Sequence, residues 1–559
     1  MKILLVSTPI RPVPTMFPPF GSMALMKHLR KNGYEDVHFY DIDCLRPTFE
    51  EAVDRIIDTK PDVLGISAVV STAYEYTKRL SLAVKERLPD TVIVVGGNLA
   101  ASAEVLLKRT GTDLCVIGEG ETVFLNLVRR AETTKTLAEY WDIPGLVFLG
   151  ADDQIVNTGY ETQLPGDEIY DIDWDDLREG SNLDYFFPVA ADSAVITDEM
   201  YNGDERAKAL IEERKTFGYL YTSKGCVNRC TFCHRWDKGL RVIPVDTVLK
   251  RLDEMIEKFN VGFLKIADEN FGADHRWLAE FCEKIKPYGI LWNCGTRVKG
   301  MTEDVIRMMK DAGCARLGFG IETGSEKMLA VMEKKVTLEE NYAAFEISQR
   351  LKIDSPIALV IGMPGENRET IQDTVRYCEH FKTARPDLNP NDLSINYAQA
   401  LPGTSLYEYA RSRGMIGADL DGEEKYLLDI SDKDAHDEVS TLNFTEEPSL
   451  ICQTWRPLIT ISTNYAFVKK FGLDLYLENL LSDANFFEKP AVEVGYNANP
   501  RRLIETHMSL EADRDQTLHA SPKLRRPPLL ELARTGQFGR ALICYTVLAY
   551  RLRRLLALM

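Results

Sequence analysis

The strongest constraint on the fold is a rhythm that occurs twice along the chain. Short buried-strand patterns alternate with helical ones, and glycines stand where the strands end. In the first run, residues 2–8, 36–41, 63–67, 91–95 and 114–117 read as strands, and residues 22–31 and 73–87 carry helical spacing. Such alternation predicts an α/β fold with a doubly wound parallel sheet over residues 1–150, with ligands at the carboxyl edge. The second run has strand patterns at 217–222, 262–267, 291–295, 315–320, 355–361 and 393–397, separated by helical stretches such as 244–259, 303–312 and 338–351. Six strands in this order predict a partial or full parallel α/β barrel over residues 216–405. Between the runs, residues 151–215 lose the rhythm. The acidic, aromatic stretch 166–176 (GDEIYDIDWDD) makes this segment read as a solvated linker. Residues 406–520 form a mixed, Tyr-rich region read as a cap over the barrel, in which Tyr407, Tyr409, Trp455 and Tyr465 are aromatic candidates for a pocket wall.

A chain of 559 residues exceeds one typical domain. Apolar content of 45% and charged content of 27% suit a soluble globular protein, and a net charge of −18 argues against nucleic-acid binding. The first residues, MKILLVSTPIRP, have no long hydrophobic region and read as a strand, which predicts a cytoplasmic protein. The sign of the charge reverses in the tail, residues 521–559, where eight Lys/Arg face the single acid Glu531. The apolar run 541–550 is too short to span a bilayer, but it is followed by Arg551, Arg553 and Arg554. A basic, apolar terminal helix suits either peripheral contact with the inner face of an anionic membrane or docking on its own protein.

Only three of the eleven cysteines cluster: Cys226, Cys230 and Cys233, just after a predicted strand. The other eight are scattered, which argues against a secreted disulfide framework. Three soft thiolates at C-x3-C-x2-C spacing can take three corners of a four-iron four-sulfur cubane and leave one iron open. A structural zinc site is the competing reading, with His234 as fourth ligand. A residue adjacent to Cys233 is poorly placed to close on the same metal, and no second cysteine pair follows.

With Phe232 before the third cysteine, this arrangement resembles the radical S-adenosylmethionine superfamily. The resemblance spans roughly residues 1–405. It implies that Cys226, Cys230 and Cys233 hold the cluster and that the open iron chelates S-adenosylmethionine, which is cleaved to a 5′-deoxyadenosyl radical. It further implies that Phe232 lines the adenine side and that Asp268, after the second barrel strand, makes a polar contact to the cosubstrate. Arg297 would pair with the cosubstrate carboxylate, a role that guanidinium geometry suits. Glu322, in a segment similar to the family's GIES, would approach the amino-acid or ribose part. Gly362 and Pro364 would form the adenine-contacting turn.

The first domain resembles the cobalamin-binding domain that often precedes such barrels. That likeness implies corrin contacts from Ser67, Ser71, Gly96, Gly97, Gly118, Glu119 and Gly120, because strand-end glycines admit a large planar ligand close to the backbone. No Asp-x-His-x-x-Gly motif supplies a lower axial ligand to cobalt. Relatives with this layout are often C-methyltransferases, which use S-adenosylmethionine both as methyl source and as radical initiator; others carry out oxidative ring formation on a porphyrin. The short match at 261–268 (VGFLKIAD) resembles the porphyrin cyclase type. A non-catalytic cobalamin and iron–sulfur binding protein is the remaining alternative. The implied partners are a small-molecule or lipid substrate and an electron donor such as flavodoxin or ferredoxin.

Overall fold

A computed structural model of the chain describes residues 1–482 except 12–13, 193–203, 235–238, 432 and 434–441. The basic tail and its apolar run therefore lie outside the described residues.

The first sheet has seven strands: β1 Ile3–Ser7, β2 Val37–Asp41, β3 Val63–Ser67, β4 Val92–Gly96, β5 Leu114–Val116, β6 Leu146–Leu149 and β7 Ile155–Asn157. Their order is β2-β1-β3-β4-β5-β6-β7. The first five are parallel, as the alternation predicts. β6 and β7 extend the sheet antiparallel and carry no signal strong enough to be read from the sequence. Near-continuous Val, Ile and Leu runs bury both faces of the central strands under helices such as Phe20–Lys31 and Tyr74–Arg87.

The second sheet is an open half-barrel of six parallel strands: β8 Thr216–Leu220, β11 Val261–Ile266, β12 Leu291–Thr296, β13 Cys314–Glu322, β14 Ile357–Ile361 and β15 Leu393–Tyr397. The alternative of a complete barrel is not realised. A short antiparallel ribbon, β9 Ser223–Lys224 and β10 Arg241–Val242, brackets the cysteine loop. On β13 to β15 buried and half-buried residues alternate. The buried set faces the helices, and the half-buried set faces the barrel interior.

Two expectations need correction. Much of the segment between the sheets is packed rather than tethered in solvent. Trp174 is 5% exposed and meets Phe20, Phe187 and Phe259 edge-on. Two of its acids pair with the first domain: Asp171 with Lys27 and Lys31, and Asp176 with Arg30. The strap thereby joins the helix Phe20–Lys31 of the first domain to the helix Val245–Phe259 of the second, whose Arg251 donates to the Ile169 and Asp167 carbonyls. The region after residue 405 is likewise more than a cap. Its helix Leu420–Ile430 docks on the first domain, where Glu424 accepts from Tyr74 at 2.8 Å and pairs with Lys78. Tyr407 and Trp455 are buried core, while Tyr409 and Tyr465 are half-buried.

Candidate active site

The carboxyl edges of the two sheets face each other. A Cβ on Gly403, in the loop after β15, would lie 2.9 Å from His234 Nε2 and 3.4 Å from Ala101 Cβ. Ala101 belongs to the turn Asn98–Ser102 that leaves β4, and His234 follows the last clustered cysteine. One contact point thus joins the glycine-rich edge of the first sheet, the cysteine loop and the far side of the half-barrel.

The cysteine loop begins at Gly225, whose φ of +85° favours glycine and turns the chain out of β9. It is pinned to the barrel by Thr231, whose N–H donates to the Met332 carbonyl and whose carbonyl accepts from the Leu406 N–H. Asn228 Nδ2 and Arg297 Nη1 each stand 3.6 Å from a thiol sulfur, those of Cys226 and Cys230. The Cys233 thiol is pushed up to about 11, by loss of solvent around its sulfur first and then by Cys230, Glu269, Cys226 and Glu322. The three thiols therefore share one electrostatic neighbourhood at the mouth of the barrel. Among the described residues no three His, Cys, Asp or Glu side chains close on a single metal ion. The donor set of three soft thiols with one side open fits a cubane better than a zinc ion. His234, the competing zinc ligand, packs its ring against Gly403.

Other sequence-predicted residues are present at this edge, with altered partners. Asp268 is buried, and its carboxylate accepts from Thr222 N (2.7 Å), Thr222 Oγ1 (2.5 Å) and Ser223 Oγ (2.6 Å). Burial outweighs those bonds and raises its pKa. Instead of offering a free face to a cosubstrate, it fixes the turn that launches the cysteine loop. Arg297 divides its guanidinium between Cys230 and the Lys334 carbonyl, so it too is engaged with the loop rather than standing ready for a carboxylate.

Glu322 ends β13 at φ +68°, a left-handed conformation rare outside glycine, just past a register shift. Its Oε1 pairs with Lys334 Nζ at 2.9 Å, with both side chains largely buried. Lys334 went unread in the sequence, since the run Glu-Lys-Lys looks like surface charge. Phe232 is half-buried against the apolar cluster between the domains. Gly362 and Gly365 both adopt positive φ around half-buried Pro364. Their turn is held by Glu366, a second unread residue, whose Oε2 accepts from Gly362 N at 2.5 Å and Met363 N at 3.2 Å.

On the first sheet, Ser67 and Gly96 are opposite one another at the carboxyl ends of β3 and β4. A Cβ on Gly96 would meet nothing within 4 Å. Gly97 is exposed at φ +86°, and a Cβ there would fall 2.4 Å from the Ala68 carbonyl oxygen. Ser71 is buried in the following turn, and Gly118 has φ +81°. Gly120 starts the helix Gly120–Ala131. This open ledge, free of large side chains at its centre, fits a planar macrocycle.

Glu119 does not belong to that ledge. Its carboxylate is clamped by Lys224 at 3.1 Å, by Arg241 on the partner strand and by the Leu164 N–H at 2.7 Å. Burial pushes its pKa up, but Arg241 and Lys224 outweigh burial and hold the carboxyl below its usual range. It ties the first domain to the ribbon bracketing the cysteine loop, a long-range contact invisible to local pattern.

Family models agree with this geometry. The model described as a B12 binding domain matches residues 7–128, and that of the Radical SAM superfamily matches residues 220–378. The chain carries a B12-binding domain followed by a radical SAM domain. Its cofactors are accordingly cobalamin, a four-iron four-sulfur cluster and S-adenosylmethionine. It is similar to the anaerobic magnesium-protoporphyrin IX monomethyl ester cyclase of Rubrivivax gelatinosus, 26% identical over 394 residues, which are 69% of this chain and 64% of that protein. It is 26% identical over 434 residues to an uncharacterized methyltransferase of Pyrococcus horikoshii, covering 74% of this chain and 84% of that one. Among solved structures, the radical S-adenosylmethionine methyltransferase TsrM from Kitasatospora setae shares the fold, with a TM-score of 0.56 at 18% identity over 74% of this chain and 76% of that one. Among the described residues of this B12-binding radical SAM protein, no helix is long and apolar enough to cross a membrane.

Proposed function

We propose that this cobalamin-dependent radical SAM enzyme is a C-methyltransferase that acts on an unactivated carbon of a small molecule or lipid held in the half-barrel. The observation that carries this reading is the face-to-face meeting of the two carboxyl edges at Ala101, His234 and Gly403. It lets a group bound on the Ser67–Gly96–Gly97 ledge and one bound at the cysteine loop reach a common space. When bound, the cluster and S-adenosylmethionine supply a 5′-deoxyadenosyl radical, and methylcobalamin supplies a methyl group.

The chain's own residues hold and screen that space. Cys226, Cys230 and Cys233 would ligate the cluster, with Arg297 steering the Cys230 sulfur. Glu322, oriented by Lys334, would receive the cosubstrate's ammonium or ribose, and Phe232 and the Gly362–Pro364 turn would flank its adenine. Ser67, Ser71, Gly96, Gly97, Gly118 and Gly120 would line the corrin. The strap and the helix Leu420–Ile430 hold the domains together, and would thereby limit the entry of water to the space between them. A one-electron donor of flavodoxin or ferredoxin type is the expected partner. The cyclase relative supports a second reading, oxidative ring formation on a tetrapyrrole.

The test has two parts. The reconstituted protein, reduced in the presence of S-adenosylmethionine, should release 5′-deoxyadenosine; none from a fully loaded sample refutes the enzyme. Mass spectrometry of metabolites and lipids from cells with and without the active protein should show a gain of one methyl, and a loss of hydrogens instead would select cyclisation.

A further inference from the structure

Below its rim the half-barrel contains a transverse row of four residues, Tyr219, Lys265, Asn293 and Arg316, directly opposite one another on β8, β11, β12 and β13. Strand parity points the row inward, because its neighbours face the outer helices. A Cβ on Gly218 would lie 2.7 Å from Met255, and Trp292 Nε1 donates to the Ala312 carbonyl at 2.9 Å. One inward position nearer the rim, β12 and β13 carry Gly295 and Gly318, which pair with each other. A Cβ on Gly295 would meet nothing within 4 Å, and one on Gly318 would touch only backbone, at 3.5 Å or more. Two adjacent glycines therefore open a shaft between the rim, where Glu322 stands, and the polar row.

The charges in the row do not cancel. Arg316 has acid partners, Asp354 at 3.0 Å and Asp392 at 3.9 Å. Lys265 has neither a hydrogen bond nor an ion pair among the described residues, and it is half-buried, open only to the interior. The inward positions of β14 and β15 are Ala358, Val360, Ser394 and Asn396, with no acid among them. Burial holds the Lys265 ammonium below its ordinary range; the nearby thiols of Cys294 and Cys314 oppose this, and Arg316 adds to it. A cation enclosed without a counter-ion is costly, and the cost is relieved when an anion enters.

We infer that the shaft is the substrate chamber and that an oxyanion of the substrate, a carboxylate or a phosphate, seats on Lys265 Nζ between Tyr219 and Asn293. The anionic end then lies at the row, and the carbon to be modified points up past Gly295 and Gly318 towards the rim. This rests on the reading of the protein as a radical methyltransferase and narrows its substrate class to acids. Lys265 makes no contact with the cofactor-binding residues, so it is a specificity-determining residue only.

Competitive acetylation of the full chain with bound cofactors, read by peptide mass spectrometry, tests the inference without knowledge of the substrate. Inorganic phosphate and acetate serve as separate probes against chloride at equal ionic strength. One of them should slow acetylation of Lys265 about tenfold while leaving exposed Lys208 unchanged, and the stronger protector identifies the oxyanion. Equal rates in phosphate, acetate and chloride overturn the inference. K265R should keep about half or more of any substrate-dependent product, and K265M should raise the substrate KM at least tenfold with kcat changed far less. K265M with wild-type KM also overturns it. Absence of 5′-deoxyadenosine from the wild type would instead defeat the enzyme reading and leave the acetylation result standing.

Discussion

The two facing edges solve opposite problems by opposite means. The first sheet offers a ledge almost without side chains, built from Ser67, Gly96 and Gly97, with open space above Gly96. The half-barrel's edge is crowded with charge: Cys230, Arg297, Lys334 and Glu322 form a continuous chain across its mouth. A macrocycle is recognised by removing obstacles, and a small zwitterion by placing partners. Substitutions should therefore do their damage differently on the two sides, by added bulk on one and by lost charge on the other.

The largest effect separates the edges outright. Cys226→Ala, Cys230→Ala or Cys233→Ala should abolish the iron–sulfur absorption and reduce 5′-deoxyadenosine to background while cobalamin still binds. Loss of cobalamin in the same variants would show that the two sites fold as one. Next in size is Lys334→Met, which leaves the largely buried Glu322 without its counter-ion. Breaking such a pair costs about 3 kcal/mol in unfolding experiments. Cosubstrate affinity should fall about tenfold or more, and the double change with Glu322→Gln should recover much of the stability. On the other edge, Gly97→Ala places a methyl group 2.4 Å from the Ala68 oxygen at a φ of +86°. About 2 kcal/mol of destabilisation is expected from the clash and the backbone strain. Cobalamin retention, read by its absorption, should drop with the cluster intact; a variant that binds cobalamin normally breaks the contrast between the edges.

Features that depend on local pattern were legible in the sequence, and those that depend on distant partners were not. Five parallel strands of the first sheet and six of the second follow from apolar runs ended by glycines, and the cysteine spacing alone points to a cluster. The same local pattern misleads at Glu119, where a Gly-Glu-Gly segment at a strand end suggests a ligand contact. Its partners, Lys224 and Arg241, lie more than a hundred residues on, and only the packing of the domains brings them within reach. Asp268 and Arg297 stand where motif order puts them, but hydroxyls and a carbonyl that no pattern specifies already occupy them. The acids of the strap read as solvated because their Lys and Arg partners are on a helix more than a hundred residues earlier.

Glu366 gives the smallest effect per pH unit and the finest test of how the charged edge is held. Its Oε2 accepts two backbone N–H groups of the Gly362 turn, while Oε1 is buried without a partner. Burial outweighs those two bonds and raises its pKa from 4.5 to about 7. The folded protein then binds a proton more tightly than the unfolded chain does. The stabilisation is complete below pH 4.5, declines across the interval up to about 7, and is gone above it. Glu366→Gln keeps an oxygen acceptor without the ionisation, so its unfolding free energy should lose this contribution to the pH slope. Relative to wild type, the variant should gain about 1 kcal/mol for each pH unit climbed between 4.5 and 7. Denaturant titrations at pH 5, 6, 7 and 8 measure the difference. Parallel pH curves for the two proteins would mean that Glu366 stays ionised beneath the turn, and the turn would then owe its geometry to a buried charge.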